Sequence, residues 1–97
     1  MSVVVGGNLA DNIISSGEND SIFGRNGNDV IESNDGRVTI SGGGGNDTIR
    51  SGRGRDIVEG SAGFDDIFGG SGRDTLDGEG GNDRIFGESG ADTILGG

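Results

Sequence analysis

An aliphatic side chain stands at every ninth position through most of this chain: Ile13, Ile22, Ile31, Ile40, Ile49, Val58, Ile67, Leu76, Ile85 and Ile94. Between them lie stretches rich in glycine and polar residues. A three-residue run with one side chain facing in and two facing out is a minimal strand. β-Branched Ile and Val suit the inward position. The pattern predicts ten such strands joined by six-residue turns, with Val4 as the inward residue of a partial unit before the first.

Cut at Gly6, residues 6–95 fall without a gap into ten blocks of nine: GGNLADNII, SSGENDSIF, GRNGNDVIE, SNDGRVTIS, GGGGNDTIR, SGRGRDIVE, GSAGFDDIF, GGSGRDTLD, GEGGNDRIF and GESGADTIL. Position 1 is Gly in seven blocks and Ser in three. Position 4 is Gly in eight, with Leu9 and Glu18 as exceptions, and position 6 is Asp in nine, with Val38 as the exception. Positions 1–6 read as a turn. Glycine accepts positive φ without steric cost, and the asparagines at position 5 (Asn19, Asn28, Asn46, Asn82) also tolerate the left-handed region.

Asn-Gly and Gly-Asn are hairpin signals, so a meander of antiparallel hairpins is one arrangement. It gives three-residue strands little to gain and leaves Asp at position 6 unexplained. A coil of stacked parallel strands explains it, because equivalent positions then line up in columns. The chain reads as one all-β domain over residues 1–97: a partial block 1–5, ten nonapeptides at 6–95 and the opening of an eleventh at 96–97. It is expected to be part of a longer protein. Its open ends are expected to favour end-to-end self-association.

Composition sharpens this picture. Only 28% of the chain is apolar, 24 residues are glycine and the net charge is −10, a profile that by itself signals disorder. Ninety residues in strict register argue for an ordered repeat instead. The lack of cysteine and histidine excludes disulfides and thiolate or imidazole metal sites. The acidic balance disfavours nucleic acid, whose phosphates it repels. No segment approaches the ~20 apolar residues of a membrane span. The start, MSVVVGGN, has neither the basic nor the long apolar region of a cleavable signal peptide. The carboxylates recur identically along the repeat, with no histidine, cysteine or tyrosine set apart from them, so the chain is not expected to be an enzyme.

Stacked aspartates ~4.8 Å apart repel one another, and a cation is expected between them. Hard carboxylate and carbonyl oxygens in a flexible arrangement select Ca2+ over Zn2+ or Cu2+. Mg2+ fits less well because it demands strict octahedral coordination. The inward aliphatics are few for so many glycines to be ordered. Calcium is therefore expected to be required for folding, with a disordered chain in its absence.

The blocks resemble the RTX nonapeptide, GGxGxDxUx, over essentially the whole chain. The resemblance implies a right-handed parallel β-roll of about five turns, with two nonapeptides in each 18-residue turn. Alternate blocks then share an edge, and Ca2+ lies between neighbouring turns of one edge. Aspartate carboxylates and turn carbonyls would hold it. Carried onto this sequence, the first edge has the column Asp11, Asp29, Asp47, Asp65, Asp83, and the second has Asp20, Val38, Asp56, Asp74, Asp92. The turn glycines expected to lend carbonyls are Gly24, Gly27, Gly42, Gly45, Gly54, Gly60, Gly63, Gly69, Gly72, Gly78, Gly81, Gly87 and Gly90. Six gaps have aspartate on both sides, and eight is the ceiling. Leu9 makes the 11/29 gap irregular, block two departs in its loop, and Asp35 is expected to replace in part the carboxylate missing at Val38. The resemblance further implies a calcium-triggered folding module of a secreted bacterial protein, exported by type I secretion and folding outside the cell.

Surface positions suggest partners beyond calcium. Position 5 of the second edge carries Arg37, Arg55 and Arg73, with Arg53 nearby. A guanidinium column suits a polyanion such as an acidic polysaccharide, as in RTX-like modules attached to alginate-modifying enzymes, or it offsets neighbouring aspartates. A spacer or adhesin stalk stiffened by calcium is a further reading. On the other sheet, Phe68 is expected to stack on Phe86, Glu32 to meet Arg50 and Asp66 to meet Arg84. The phenylalanine pair reads as ladder packing or as a docking surface for a neighbouring domain. The ladder Ser21, Thr39, Ile57, Thr75, Thr93 reads as ordinary β-propensity rather than as an ice-binding face.

Overall fold

In the computed structural model, which describes residues 3–15 and 19–96, the chain is a flattened coil. Its strands are β1 (Val3–Val5), β2 (Asn12–Ser15), β3 (Ser21–Phe23), β4 (Val30–Ser33), β5 (Thr39–Ser41), β6 (Thr48–Arg50), β7 (Ile57–Glu59), β8 (Asp66–Phe68), β9 (Thr75–Asp77), β10 (Arg84–Phe86) and β11 (Thr93–Leu95). The odd-numbered strands form one sheet and the even-numbered strands the other, each stacked in chain order. Every pairing between these strands is parallel, with partners 18 residues apart, as in Ile31↔Ile49 and Ile40↔Val58. A hairpin meander would place consecutive strands side by side and antiparallel, so that arrangement is excluded.

Position 8 points between the two sheets. Ile13, Ile22, Ile31, Ile40, Ile49, Val58, Ile67 and Leu76 are buried there, which withdraws their apolar surface from water. Val4 and Ile85 are only partly buried, and Ile94 is 47% exposed. These three belong to β1, β10 and β11, outer strands that have a neighbour on one side. Val38, which the repeat reads only as a break in an aspartate column, is fully buried and joins the core.

The hydrogen-bond ladder runs past the short strands into the turns. The position-1 N–H donates to the position-9 carbonyl of the next coil, as Gly42 N to Glu59 O at 2.8 Å. The position-7 N–H donates to the position-6 carbonyl of the preceding coil, as Thr48 N to Asp29 O at 2.9 Å. The turns therefore stack backbone on backbone. The position-4 glycines from Gly27 to Gly90 have φ of 91–113°. At Gly45 a side chain would run into the Gly27 carbonyl of the neighbouring coil, so conformation and space both demand glycine. Leu9 does not take this conformation and is exposed.

Two features of the turns differ from expectation. Position 2 is also left-handed in seven blocks, filled by Gly43, Gly52 and Gly70 and by Arg25, Ser61, Glu79 and Glu88, but not at Gly7 or Asn34. Of the position-5 asparagines only Asn19 uses the left-handed region, at φ 57°. Asn28 and Asn46 serve the stack through their side chains: Asn46 N donates to Asn28 Oδ1 at 2.7 Å, and Phe64 N to Asn46 Oδ1 at 2.8 Å.

On the outer faces Phe68 and Phe86 stack with ring centroids 5.1 Å apart, and Arg84 lies 3.9 Å from Asp66. Glu32 and Arg50 are register partners, but no ion pair joins them. The Arg50 guanidinium lies over the Phe68 ring, 5.2 Å from its centroid, where the ring face attracts a cation. The loop of block two at 16–18, including Glu18, lies outside the described residues, as do residues 1–2 and the second glycine of the eleventh block.

Candidate metal sites

The turns bring the position-6 side chains inside each edge, one above another. Asp29, Asp47 and Asp65 on the first edge and Asp20, Asp56 and Asp74 on the second are buried. Asp11, Asp83 and Asp92 are half-buried. A buried carboxylate is costly unless it is hydrogen-bonded or paired. In seven of these nine the stack satisfies one oxygen. Oδ1 accepts the position-6 N–H of the preceding coil: Asp29 from Asp11, Asp47 from Asp29 and Asp65 from Asp47, all at 2.8 Å, and Asp83 from Asp65 at 2.9 Å. On the second edge Asp56 accepts from Val38 at 2.9 Å, Asp74 from Asp56 at 3.0 Å and Asp92 from Asp74 at 2.9 Å. The aspartates thus have a structural role that the repeat pattern alone did not reveal.

The second oxygen is left bare. Oδ2 of Asp29, Asp47, Asp56, Asp65, Asp74 and Asp83 is shielded from solvent and accepts no hydrogen bond. Where position 1 is glycine, this oxygen faces the glycine Cα of its own block. A Cβ at Gly24 would sit 2.7 Å from Asp29 Oδ2 and 2.7 Å from the Gly42 carbonyl oxygen. At Gly42 it would sit 2.6 Å from Asp47 Oδ2 and 3.0 Å from the Gly60 oxygen, and at Gly69, 2.8 Å from Asp74 Oδ2 and 3.1 Å from the Gly87 oxygen. A side-chain carbon does not tolerate such spacing. Glycine at position 1 is what lets the carboxylate and the carbonyl of the next coil approach each other this closely, bringing two hard oxygen donors together.

These residues fit calcium. At Gly24, Gly42 and Gly69 the cradle is bounded by a bare carboxylate oxygen and by a carbonyl oxygen of the next coil, both hard donors. The carbonyls of Gly42, Gly60 and Gly87 stand at these three, and that of Gly24 stands beside Asp11. The carbonyls of Gly27, Gly45, Gly54, Gly63 and Gly72 instead point at the position-4 glycine of the following coil. No three acidic side chains converge among the described residues, so backbone carbonyls would have to complete each site.

Electrostatics point the same way. Burial raises the Asp29 carboxyl above its usual range, pushes Asp47 up to about 7, and pushes Asp56, Asp65 and Asp74 up to about 6. Neighbouring carboxylates add to the effect, as Asp65 and Asp29 do on Asp47. A divalent cation in the cradle would oppose both causes.

The second edge is less uniform. Its first three position-1 residues are Ser15, Ser33 and Ser51, all buried. The Ser15 hydroxyl donates to Asp20 Oδ2, and Ser51 Oγ donates to the Gly69 carbonyl at 2.9 Å. Ser33 Oγ has no partner in the block where Val38 stands for aspartate. Asp35 is exposed, whereas Val38 is fully buried, so Asp35 does not take its place. On the first edge Asp11 Oδ2 accepts the Gly7 N–H at 2.8 Å, which makes the 11/29 gap differ from the rest.

Arg37, Arg53, Arg55 and Arg73 are exposed on the second edge. Arg84–Asp66 is the one ion pair among the described residues, so these arginines do not offset aspartates by direct pairing.

No curated protein and no solved structure matches the chain. A sequence profile of the RTX calcium-binding nonapeptide repeat (four copies) matches residues 5–40, 26–58, 39–67 and 59–94. That match follows the same nonapeptide register that builds the coil and its aspartate columns, and the chain belongs to the RTX calcium-binding nonapeptide repeat family.

Proposed function

We propose that this chain is a calcium-triggered folding module of a secreted bacterial protein. The observation that carries the reading is the set of buried aspartate Oδ2 atoms with no hydrogen-bond donor. Without a cation they oppose the coil; with one they hold neighbouring turns together. A site assembled from two coils exists only in the folded chain, so the binding free energy of calcium becomes folding free energy. The paired aspartates alone would give six ions. Low calcium inside the cell and high calcium outside would keep the chain unfolded during export, by the type I route that the family suggests, and fold it after release. The test is far-UV circular dichroism during a calcium titration, with calorimetry for the number of ions. At about pH 7.5, strand signal should grow with calcium and vanish in excess EDTA. The same signal in EDTA would refute calcium-triggered folding.

A second reading rests on the arginines. Three exposed guanidinium groups 18 residues apart, none in an ion pair, make a regular cationic row in an acidic chain. Such a row suits a repeating polyanion. Retardation in alginate-containing gels, lost in an Arg37/Arg55/Arg73→Ser variant, would support an accessory polysaccharide-binding role. Unchanged mobility would rule that role out.

A further inference from the structure

Each coil meets the next through the same parallel register, so the two faces of a coil fit each other. Among the described residues, β10 and β11 have no strand beyond them, and β1 and β2 have none before them. The far end presents the N–H and carbonyl of Asp92 and the N–H of Gly87. Inside the stack the equivalent groups bond to the following coil, as Asp74 N does to Asp92 Oδ1, Asp74 O to Thr93 N and Gly78 N to Leu95 O. The near end presents their complements: Asp11 Oδ1, the Asn12 N–H and the Val5 carbonyl. Phe86, Ile94 and Leu95 are exposed at one end, and Val5 and Ile14 at the other. Apolar strand edges of this kind are templates for pairing with another chain.

Register decides how two copies would meet. The described strands number eleven, so β1 and β11 lie in the same sheet. Seating β1 of a second copy on β11 would leave β10 facing a gap. Seating it on β10, with β2 on β11, continues the coil, and each sheet of one copy runs into the opposite sheet of the next. We infer that the partner of these ends is a second copy of this chain, docked head to tail with its sheets exchanged. Ile85 then meets Val4 of the second copy, and Ile94 meets its Ile13. On the outer faces Phe86 meets Val5, and Leu95, 51% exposed, meets Ile14, 71% exposed. The Asp92 N–H donates to Asp11 Oδ1 of the second copy, and its Asn12 N–H donates to the Asp92 carbonyl. Asp92 and that Asp11 flank one more gap, assembled from two copies. This last point rests on the calcium-binding reading above; bound calcium would also offset the net charge of −10 that holds copies apart. A head-to-tail joint that does not close on itself builds linear assemblies.

Sedimentation velocity of the full chain in calcium at about pH 7.5, at rising chain concentration, tests this, with circular dichroism to confirm folding. Species larger than a dimer should appear as concentration rises. Asn12→Pro removes only an N–H aimed at the second copy, at the first residue of an outer strand where proline is tolerated. It should fold and stay monomeric, and so should Leu95→Arg, which places a charge in the joint from the other end. The chain has no cysteine, so disulfide trapping reads the register. Leu95→Cys mixed with Ile14→Cys should give a covalent dimer, and Leu95→Cys mixed with Val5→Cys should not. A folded wild type that stays monomeric would overturn the inference and leave the calcium-binding reading intact. Variants that assemble like wild type, or trapping to Val5 instead of Ile14, would overturn it too. Equal assembly in EDTA would sink calcium-triggered folding and leave the docking standing.

Discussion

The first edge of the coil keeps glycine at position 1 and aspartate at position 6 in all five of its blocks. The second edge keeps the same fold and strand register but places serine at Ser15, Ser33 and Ser51 and an apolar residue at Val38. The first edge accumulates bare, buried carboxylate oxygens along its length. The second begins with hydroxyl hydrogen bonds and a valine that joins the core, and becomes glycine-lined only from Gly69 onward. One backbone path can thus carry two kinds of edge: stacked carboxylates with bare oxygens, or neutral hydroxyl and apolar contacts. The difference teaches that the coil geometry does not itself require an ion in every gap.

Substituting the central first-edge aspartate should have the largest effect. Asp47→Ala removes a carboxylate shared by two gaps and the Oδ1 that accepts the Asp29 N–H. The calcium needed for half-folding should rise by about tenfold or more, equivalent to about 1.4 kcal/mol, as read by circular dichroism. Asp47→Asn, which keeps an acceptor for that N–H, should fold at less calcium than the alanine variant.

Next comes Val38→Asp, which makes the second edge imitate the first. With Ser33 in place, the new carboxylate is buried beside a serine rather than beside the glycine of the first edge. Destabilisation of about 2–4 kcal/mol is expected in urea denaturation with calcium present. Adding Ser33→Gly should recover much of that loss and bring one more ion. If Val38→Asp alone bound an extra ion, the contrast between the edges would break.

A pH dependence of opposite sign with and without calcium should follow. In the metal-free coil Asp47 lies near 7 and Asp56, Asp65 and Asp74 near 6, against 3.8 for an unperturbed aspartate. The folded form therefore binds protons more tightly than the unfolded chain. Its stability from these groups is complete below about pH 4 and is lost as pH rises through 6 to 7. In EDTA, strand signal should be stronger at pH 3.5 than at pH 8. With calcium, protons compete for the same oxygens, so the calcium midpoint should move to higher concentration between pH 7.5 and 5.5.

The smallest effect is expected at Asp20→Ala. Its Oδ2 is already held by the Ser15 hydroxyl. The ion count should not change, and the calcium midpoint should move less than about twofold, under 0.5 kcal/mol. A loss of one ion would show that the serine-lined end of the second edge does bind metal.

Much of the molecule was legible in the linear pattern. Ile49 had to face inward because it is the one aliphatic residue of its block, and Asp47 had to line up with Asp29 and Asp65 once strands stack in parallel. The period of nine, the all-β class and the choice of calcium follow from such residues, because a repeat that returns the same side chain to the same place needs no long-range information to be read. What the three-dimensional stack decided was pairwise and lay across coils. It divided each aspartate into one oxygen that holds the neighbouring backbone and one left bare. It drew Arg50 to Phe68 rather than to Glu32, since a ring face on the adjacent strand competes with a solvated carboxylate. It made Val38 part of the core, and it gave the serines their meaning. In the sequence, serine for glycine at position 1 is a small change; only the stack shows the Ser15 hydroxyl donating to Asp20 Oδ2 and the Ser51 hydroxyl to the Gly69 carbonyl.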